Sequence, residues 1–209
     1  MDDVRTTPPG PAATVEGRVA SADGTPIAYR RCGGGPPLVL VGGALSPGGW
    51  ELRLAGLLAG RFTTYTYDRR GRGGSGGGAG GYAPEREVED LAAVVAAAGA
   101  GAGVHGTSSG GALALEAAAA GVPMGRLSVY EPPYGADGDV HDGVPAGLLA
   151  GIHARVLVLD GGASPRWLRD AARAVAGALP QGRHTTLTGQ THTAAPQVLA
   201  PVLAGFFAR

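Results

Sequence analysis

The stretch Gly106-Thr107-Ser108-Ser109-Gly110 follows a short predicted strand and leads into the helix-forming run 110–120. It fits the pattern G-x-S-x-G in the strand, turn and helix context that the pattern requires. A sharp turn of this kind strains its central residue, so the residues two positions before and after must lack a Cβ atom. We predict that Ser108 is a nucleophile held above the edge of a sheet. Taken alone, the stretch also fits a plain turn in which Ser108 or Ser109 caps the helix.

Apolar strands and helical segments alternate on both sides of this turn. The predicted strands are 15–20, 27–32, 37–41, 62–67, 103–106, 127–130, 155–159 and 184–187. The predicted helices are 50–58, 84–98, 110–120, 144–152, 165–179 and 195–207. An Asp-Gly hairpin signal at 22–25 makes the first two strands antiparallel, and the later alternation indicates parallel strands with helices on both faces. The sequence predicts an α/β fold, a three-layer α/β/α sandwich around a mostly parallel sheet of about eight strands.

Composition narrows the possible surroundings and partners of the protein. Seventeen arginines, with no lysine, balance seventeen acidic residues, so the chain lacks the excess of basic residues that nucleic-acid binding needs. Cys32 is the only cysteine, and no stretch approaches the roughly 20 apolar residues of a membrane span. Residues 1–12 are polar and proline-rich, unlike a secretory signal. We predict a disordered lead over 1–12, a single domain over 13–209, a cytoplasmic location and no membrane or nucleic-acid partner.

Three blocks of sequence together resemble the α/β-hydrolase superfamily over essentially the whole chain. The first is Leu38-Val39-Leu40-Val41-Gly42-Gly43-Ala44, in which Gly42 stands where most members have histidine. The second is Tyr67-Asp68-Arg69-Arg70-Gly71-Arg72-Gly73-Gly74-Ser75, which is similar to the D-x-R-G-x-G-x-S loop after the fourth strand. The third is the turn at Ser108. The resemblance implies an oxyanion hole formed by the backbone N–H groups of Ala44 and Ser109, and implies no metal or organic cofactor.

The general base is predicted to follow the last strand, where His192 stands just before the final helix. The partner acid is less sharply defined. The usual family position is occupied by Ser164, whose hydroxyl cannot orient an imidazolium as a carboxylate does. Two carboxylates remain at strand ends, Glu131 and Asp160, and either keeps the chain order Ser, acid, His. We favour Glu131, because it ends its strand beside a proline-held turn and is well placed to accept a hydrogen bond from an imidazole.

The chain has little room for the helical cap that most members insert after the sixth strand. Only residues 132–154 join that strand to the next, so we expect a minimal cap and an open site. Such a site suits a small-molecule or carrier-tethered acyl substrate. Four aromatic residues are candidates for its walls, or for simple packing: Trp50, Tyr82, Tyr134 and Trp167. The sequence carries no signal of oligomeric state.

The function predicted from these features is a serine hydrolase that cleaves a carboxylic ester or thioester through an acyl-enzyme. One alternative keeps the fold but uses His192 to move protons in a cyclase, lyase or cofactor-free oxidation catalyst. Another is a catalytically silent binding protein. The run Gly71-Arg72-Gly73-Gly74-Ser75-Gly76 also fits the dinucleotide pattern G-x-G-x-x-G, but it does not open a helix at once, which argues against nucleotide binding. The histidines show no ligand spacing, so we expect no metal site.

Overall fold

The computed structural model describes residues 13–44, 49–78, 83–134 and 145–208. Within them the strands are β1 (Thr14–Ala20), β2 (Pro26–Gly33), β3 (Pro37–Val41), β4 (Thr63–Tyr67), β5 (Gly103–Thr107), β6 (Arg126–Tyr130), β7 (Arg155–Gly161) and β8 (Gly182–Leu187). The helices are α1 (Trp50–Leu58), α2 (Pro84–Ala98), α3 (Ser109–Ala119), α4 (Ala146–Ala150), α5 (Arg166–Ala178) and α6 (Pro196–Phe207). The predicted ends of these elements agree with the structure to within two residues.

All eight strands form one sheet in the order β1-β2-β4-β3-β5-β6-β7-β8. The hairpin β1–β2 joins the sheet antiparallel to β4, and the strands from β4 to β8 are parallel. Strand β5 lies between β3 and β6, so the turn that follows it is flanked by the loops that follow those two strands. This confirms the predicted mostly parallel sheet and brings the ends of β3, β5, β6 and β7 to one edge.

The two faces of the sheet carry separate apolar cores, and β3 divides its side chains between them. Leu38 and Leu40 pack with residues of α1 and α6 on one face. Val39 and Val41 pack with residues of α2, α3 and α5 on the other. A continuous apolar strand of this kind is what burial on both faces requires. The three-layer arrangement follows from this alternation.

The connection between β6 and β7 is short. It runs from residue 131 to 154, and α4 is the helix found in its described part. The predicted lead over residues 1–12 lies outside the described residues, so the boundary between 12 and 13 stays a prediction. None of the helices in the described ranges combines the length and apolar character needed to cross a membrane.

Candidate active site

Ser108 occupies a strained turn between β5 and α3. Its φ is 52° and its ψ is −126°, a backbone conformation that residues other than glycine rarely adopt. The flanking glycines make the turn possible. A Cβ atom on Gly106 would lie 2.3 Å from the carbonyl oxygen of Gly110, and one on Gly110 would lie 2.5 Å from the carbonyl oxygen of Val41. The steric reason given for the G-x-S-x-G pattern therefore holds in this chain.

Glu131 is the other strained position. Among the described residues, Ser108 and Glu131 are the two non-glycine residues with positive φ, and the φ of Glu131 is 43°. It directly follows β6, and its N–H donates to the carbonyl oxygen of Leu159 at 2.9 Å. Strained non-glycine backbone persists only where surrounding contacts hold it, and such positions cluster at functional sites. Both positions fall on residues that the sequence singled out.

A hydrogen-bonded chain joins Ser108, His192 and Glu131. The Nε2 atom of His192 lies 3.1 Å from Ser108 Oγ, and its Nδ1 atom lies 2.6 Å from Glu131 Oε2. Glu131 Oε1 accepts a second bond, at 2.7 Å, from the N–H of Gly161. The carboxylate can only accept, so Nδ1 carries the ring proton and Nε2 is left to accept from the Ser108 hydroxyl. The structure thus brings together the predicted nucleophile, base and favoured acid.

The loop that carries His192 is fastened on both sides. Before it, the Tyr130 hydroxyl donates to the carbonyl oxygen of Thr191. After it, Trp50 Nε1 donates to the carbonyl oxygen of Ala194 at 3.0 Å. The side chain of His192 is 42% exposed, whereas the side chain of Glu131 is fully buried. The imidazole is therefore held in orientation but open to a ligand.

Burial and hydrogen bonding act in opposite directions on the Glu131 carboxyl. Burial raises its pKa, but hydrogen bonds from His192 and Gly161, with a contribution from the Ser164 hydroxyl, lower the pKa by more. The net pKa lies below the usual value for glutamate, so the carboxylate stays ionised beside the imidazole. Ser164 is buried next to it, although its hydroxyl makes no well-formed hydrogen bond of its own. The usual family acid position and Glu131 thus converge on one place.

Asp160, the alternative acid, has a different partner. Its Oδ2 atom lies 2.9 Å from Nε2 of His184, and its carboxylate is fully buried. Asp160 lies inside β7 rather than after it, because β7 continues to Gly161. The structure pairs Asp160 with a histidine of the neighbouring strand and brings Glu131, not Asp160, to His192.

The two predicted oxyanion donors occupy different situations. Ser109 is the first residue of α3, so no carbonyl oxygen of a preceding helical turn can accept its N–H. The N–H of Ala44 donates instead to the side chain of Ser109, at 2.8 Å from Oγ. Arg69 Nη1 donates to the same oxygen at 3.1 Å. The structure therefore places Ala44 at the site, but with its N–H on the Ser109 hydroxyl.

Arg69 was not singled out from the sequence, and neither was its partner. Its guanidinium forms a short ion pair with Glu87 of α2, and both side chains are at least nine-tenths buried. The next residue, Arg70, binds Asp90 one helical turn further along α2 through two hydrogen bonds of 2.9 and 2.7 Å. The signal in the sequence was the pair of acids three positions apart, which lie on one face of a helix.

The remaining motif residues hold the loop after β4 together. Asp68 accepts the N–H of Gly74 at 2.9 Å, and Ser75 Oγ accepts the N–H of Ala28 at 2.9 Å. The N–H of Gly71 closes the loop on the carbonyl oxygen of Gly76 at 2.9 Å. The next helix begins only at Pro84. The glycines of the G-x-G-x-x-G match thus form a closed turn and do not lead directly into a helix N-terminus.

The aromatic residues considered as walls divide into three cases. Trp50 and Tyr134 are buried and hydrogen-bonded or packed within the fold. Trp167 is 46% exposed on α5. Tyr82 lies outside the described residues.

Of the histidines, His105 is buried in β5, with Nδ1 3.3 Å from Ser128 Oγ.

Comparison with known proteins identifies the family of the chain. A model of the alpha/beta hydrolase family matches residues 38–208. The chain belongs to the alpha/beta hydrolase family. It is 40% identical to an alpha/beta hydrolase from Sphaerobacter thermophilus DSM 20745, with 91% of this chain and 100% of that chain covered and a TM-score of 0.85.

Two more distant solved structures share the fold. An esterase from Rhodococcus sp. ECU1013 is 20% identical, with 92% of this chain and 98% of that chain covered and a TM-score of 0.79. The naproxen esterase of Bacillus subtilis is 14% identical, with 94% and 92% covered and a TM-score of 0.80. Comparison with curated protein sequences gives no significant match. The family and the fold are thus established by the family model and by the Sphaerobacter relative.

Proposed function

We propose that the protein is a serine hydrolase that cleaves a carboxylic ester or thioester through an acyl-enzyme intermediate. The observation that carries the proposal is the hydrogen-bonded chain from Ser108 through His192 to Glu131, with links of 3.1 and 2.6 Å. An imidazole that accepts a hydrogen bond from a serine hydroxyl and donates one to a buried carboxylate activates that serine as a nucleophile.

In the proposed reaction, Ser108 Oγ attacks the acyl carbon while His192 Nε2 takes its proton. The ionised Glu131 stabilises the imidazolium that forms and keeps Nδ1 protonated. The carbonyl oxygen becomes an oxyanion beside the first N–H of α3, where hydrogen-bond donors and the helix dipole favour negative charge. His192 then protonates the leaving alcohol or thiol. A water molecule, deprotonated by His192, then attacks the acyl-enzyme, and its breakdown releases the carboxylic acid and returns the proton to Ser108.

The proposed substrate class is a small-molecule or carrier-tethered acyl compound. Two features support it: the short connection between β6 and β7, and the 42% exposure of His192, which leaves room for a substrate to reach the triad. Two of the structural neighbours are esterases, from Rhodococcus and from Bacillus subtilis, so ester cleavage is a chemistry that this fold carries.

A fluorophosphonate probe tests the proposal directly, because it reacts selectively with activated serines. We expect the wild-type protein to be labelled at Ser108 and to hydrolyse a member of a panel of p-nitrophenyl esters and acyl thioesters. Ser108→Ala should abolish labelling and lower turnover by about 10⁴-fold or more. The matched control is Ser21→Ala, in the hairpin between β1 and β2, which should be labelled like the wild type.

The same experiment separates the two rival functions. A folded protein that is not labelled, but catalyses a reaction that needs His192 and not Ser108, would be a non-hydrolytic enzyme. A folded protein would be a binding protein if it is not labelled and if no turnover is found that is lost in Ser108→Ala and in His192→Ala. Either outcome overturns the proposal.

A further inference from the structure

The Ser109 hydroxyl lies where two hydrogen-bond donors converge. Its oxygen accepts the N–H of Ala44 at 2.8 Å and a guanidinium N–H of Arg69 at 3.1 Å. These contacts join three segments that are 40 and 65 residues apart in the chain. A serine side chain one residue after the nucleophile is thus tied to the loop after β3 and to the loop after β4.

These two contacts fix what the hydroxyl can still do. A serine oxygen has two lone pairs and one O–H donor. Ala44 and Arg69 occupy both lone pairs, so the O–H must point toward some other acceptor. Within the described part of the chain, no acceptor receives it. The same contact also uses up the Ala44 N–H, the second donor that the family resemblance implied for the oxyanion.

We propose that the O–H of Ser109 is the second oxyanion donor of this enzyme, acting in place of the Ala44 N–H. The inference rests on the proposed serine-hydrolase function. Residue 109 would then supply two donors, its backbone N–H and its side-chain O–H. When the Ser108 oxygen bonds to the acyl carbon and its proton passes to His192, the carbonyl electron pair moves onto the oxygen that these two donors face.

Arg69 acts in this arrangement as a positioning residue. Its ion pair with Glu87 and its burial keep it from swinging out to bind a substrate anion. It also donates to the carbonyl oxygen of Gly42 at 3.5 Å, which ties it to the loop that carries Ala44. A hydroxyl whose oxygen accepts from a charged donor is polarised and becomes a stronger donor itself. The buried Arg69–Glu87 pair thus strengthens the Ser109 O–H without adding net charge to the site.

Replacing Ser109 by alanine tests the proposal on the full chain. Ser109→Ala keeps the backbone N–H and removes only the hydroxyl, so we expect kcat to fall by about 100-fold with KM little changed. Ser109→Thr keeps a hydroxyl and should have a higher kcat than Ser109→Ala. Ser21→Ala, in the hairpin between β1 and β2 and outside the proposed site, is the matched control that should keep the wild-type kcat. Ser108→Ala, measured beside it, reports whether the proposed hydrolytic function holds at all.

A trifluoromethyl ketone matched to the best ester provides a second readout. The ketone accepts the Ser108 oxygen at its carbonyl carbon and gives a stable oxyanion, with the proton held on His192. Its affinity should fall in Ser109→Ala by the same factor as kcat, because both report the oxyanion. Arg69→Lys should lower kcat in the wild-type background but have little further effect in Ser109→Ala, an interaction that a purely structural role would not produce.

Two outcomes would overturn the inference while leaving the hydrolase function in place. One is an unchanged kcat and unchanged ketone affinity in Ser109→Ala. The other is a higher kcat, which would mean that the hydroxyl blocks the Ala44 N–H and that this amide is the true second donor. Loss of labelling and turnover in the wild type itself would instead reject the proposed function.

Discussion

Replacing Glu131 by glutamine is the sharpest test of the triad, because the carboxylate accepts two hydrogen bonds. Gly161 donates to one oxygen at 2.7 Å and His192 donates to the other at 2.6 Å. Glutamine has the same shape but offers one acceptor and one NH₂ donor. One of the two bonds must therefore be lost, and each choice has a defined consequence.

In the first choice the amide oxygen keeps Gly161 and the NH₂ group faces Nδ1 of His192. The ring proton then moves to Nε2, which can no longer accept from Ser108. In the second choice the NH₂ group meets the Gly161 N–H, and two buried donors face each other at a cost of about 1–3 kcal/mol. Reaching the reactive tautomer therefore slows the reaction by about 5- to 150-fold. Loss of the charge that stabilises the imidazolium adds to this, and the total expected loss in kcat is about 10⁴-fold, as for the corresponding Asp→Asn change in a serine protease triad.

The assay is ester turnover under saturating substrate, with fluorophosphonate labelling and thermal unfolding on the same samples. Asp160→Asn is the matched control, since it makes the same chemical change in the carboxylate that binds His184. It should leave kcat almost unchanged. The reasoning would be refuted if Glu131→Gln kept kcat within about tenfold of the wild type. It would equally be refuted if Asp160→Asn caused the larger loss.

Two further changes follow from the same site and from the core beneath it. Glu131→Ala should inactivate the enzyme. Adding Ser164→Asp should restore part of kcat, because Ser164 is buried beside Glu131 and we expect a carboxylate there to reach the same imidazole. No recovery in a folded double variant would contradict this. Burial lowers the pKa of His105 in the folded protein to about 3. Below the pKa of histidine in the unfolded chain, the unfolded state therefore binds a proton at this residue and the folded state does not. The free energy of unfolding therefore falls as the pH drops. Between pH 7 and pH 5 the wild type should lose about 2 kcal/mol more than His105→Gln in urea unfolding, and equal losses would refute the assignment.

Much of the site could be predicted from the sequence because its signals are local. Ser108 is marked by glycines two positions away, whose Cβ atoms would collide with backbone. The strand and helix bounds follow from apolar runs broken by glycine and proline. His192 follows from its place after the last strand. Each of these inferences needs only neighbours in the chain.

The sequence favours Glu131 over Asp160 on a local signal, its place at a strand end before a proline-held turn, but local patterns do not decide between the two acids. Side chains alternate along β7, so Val158 joins the core under α5 and Leu159 joins the core under α6. Asp160 therefore points to the same face as Val158, where its partner His184 lies on the neighbouring strand. Glu131 escapes this rule, because its positive φ turns the chain away from the strand direction. That turn depends on contacts with β7 which no local pattern predicts.

The contacts of Ser109 were equally out of reach. Its partners Ala44 and Arg69 are distant in the chain, and the sequence offered Arg69 and Arg70 side by side without indicating which acid each would bind. The sheet order decides this, because it sets the loop after β4 against α2 and beside the turn at Ser108.

Tyr130 connects one strand end to all three members of the proposed triad. Its carbonyl oxygen accepts the N–H of Ser108 at 2.8 Å, and its hydroxyl donates to Thr191, directly before His192. Its peptide bond leads into the strained backbone of Glu131. The end of β6 therefore contacts the proposed nucleophile, adjoins the proposed acid in the chain and binds the residue before the proposed base. Strain at two positions is tolerable because a single fully buried residue, fixed in the core by its ring, anchors both.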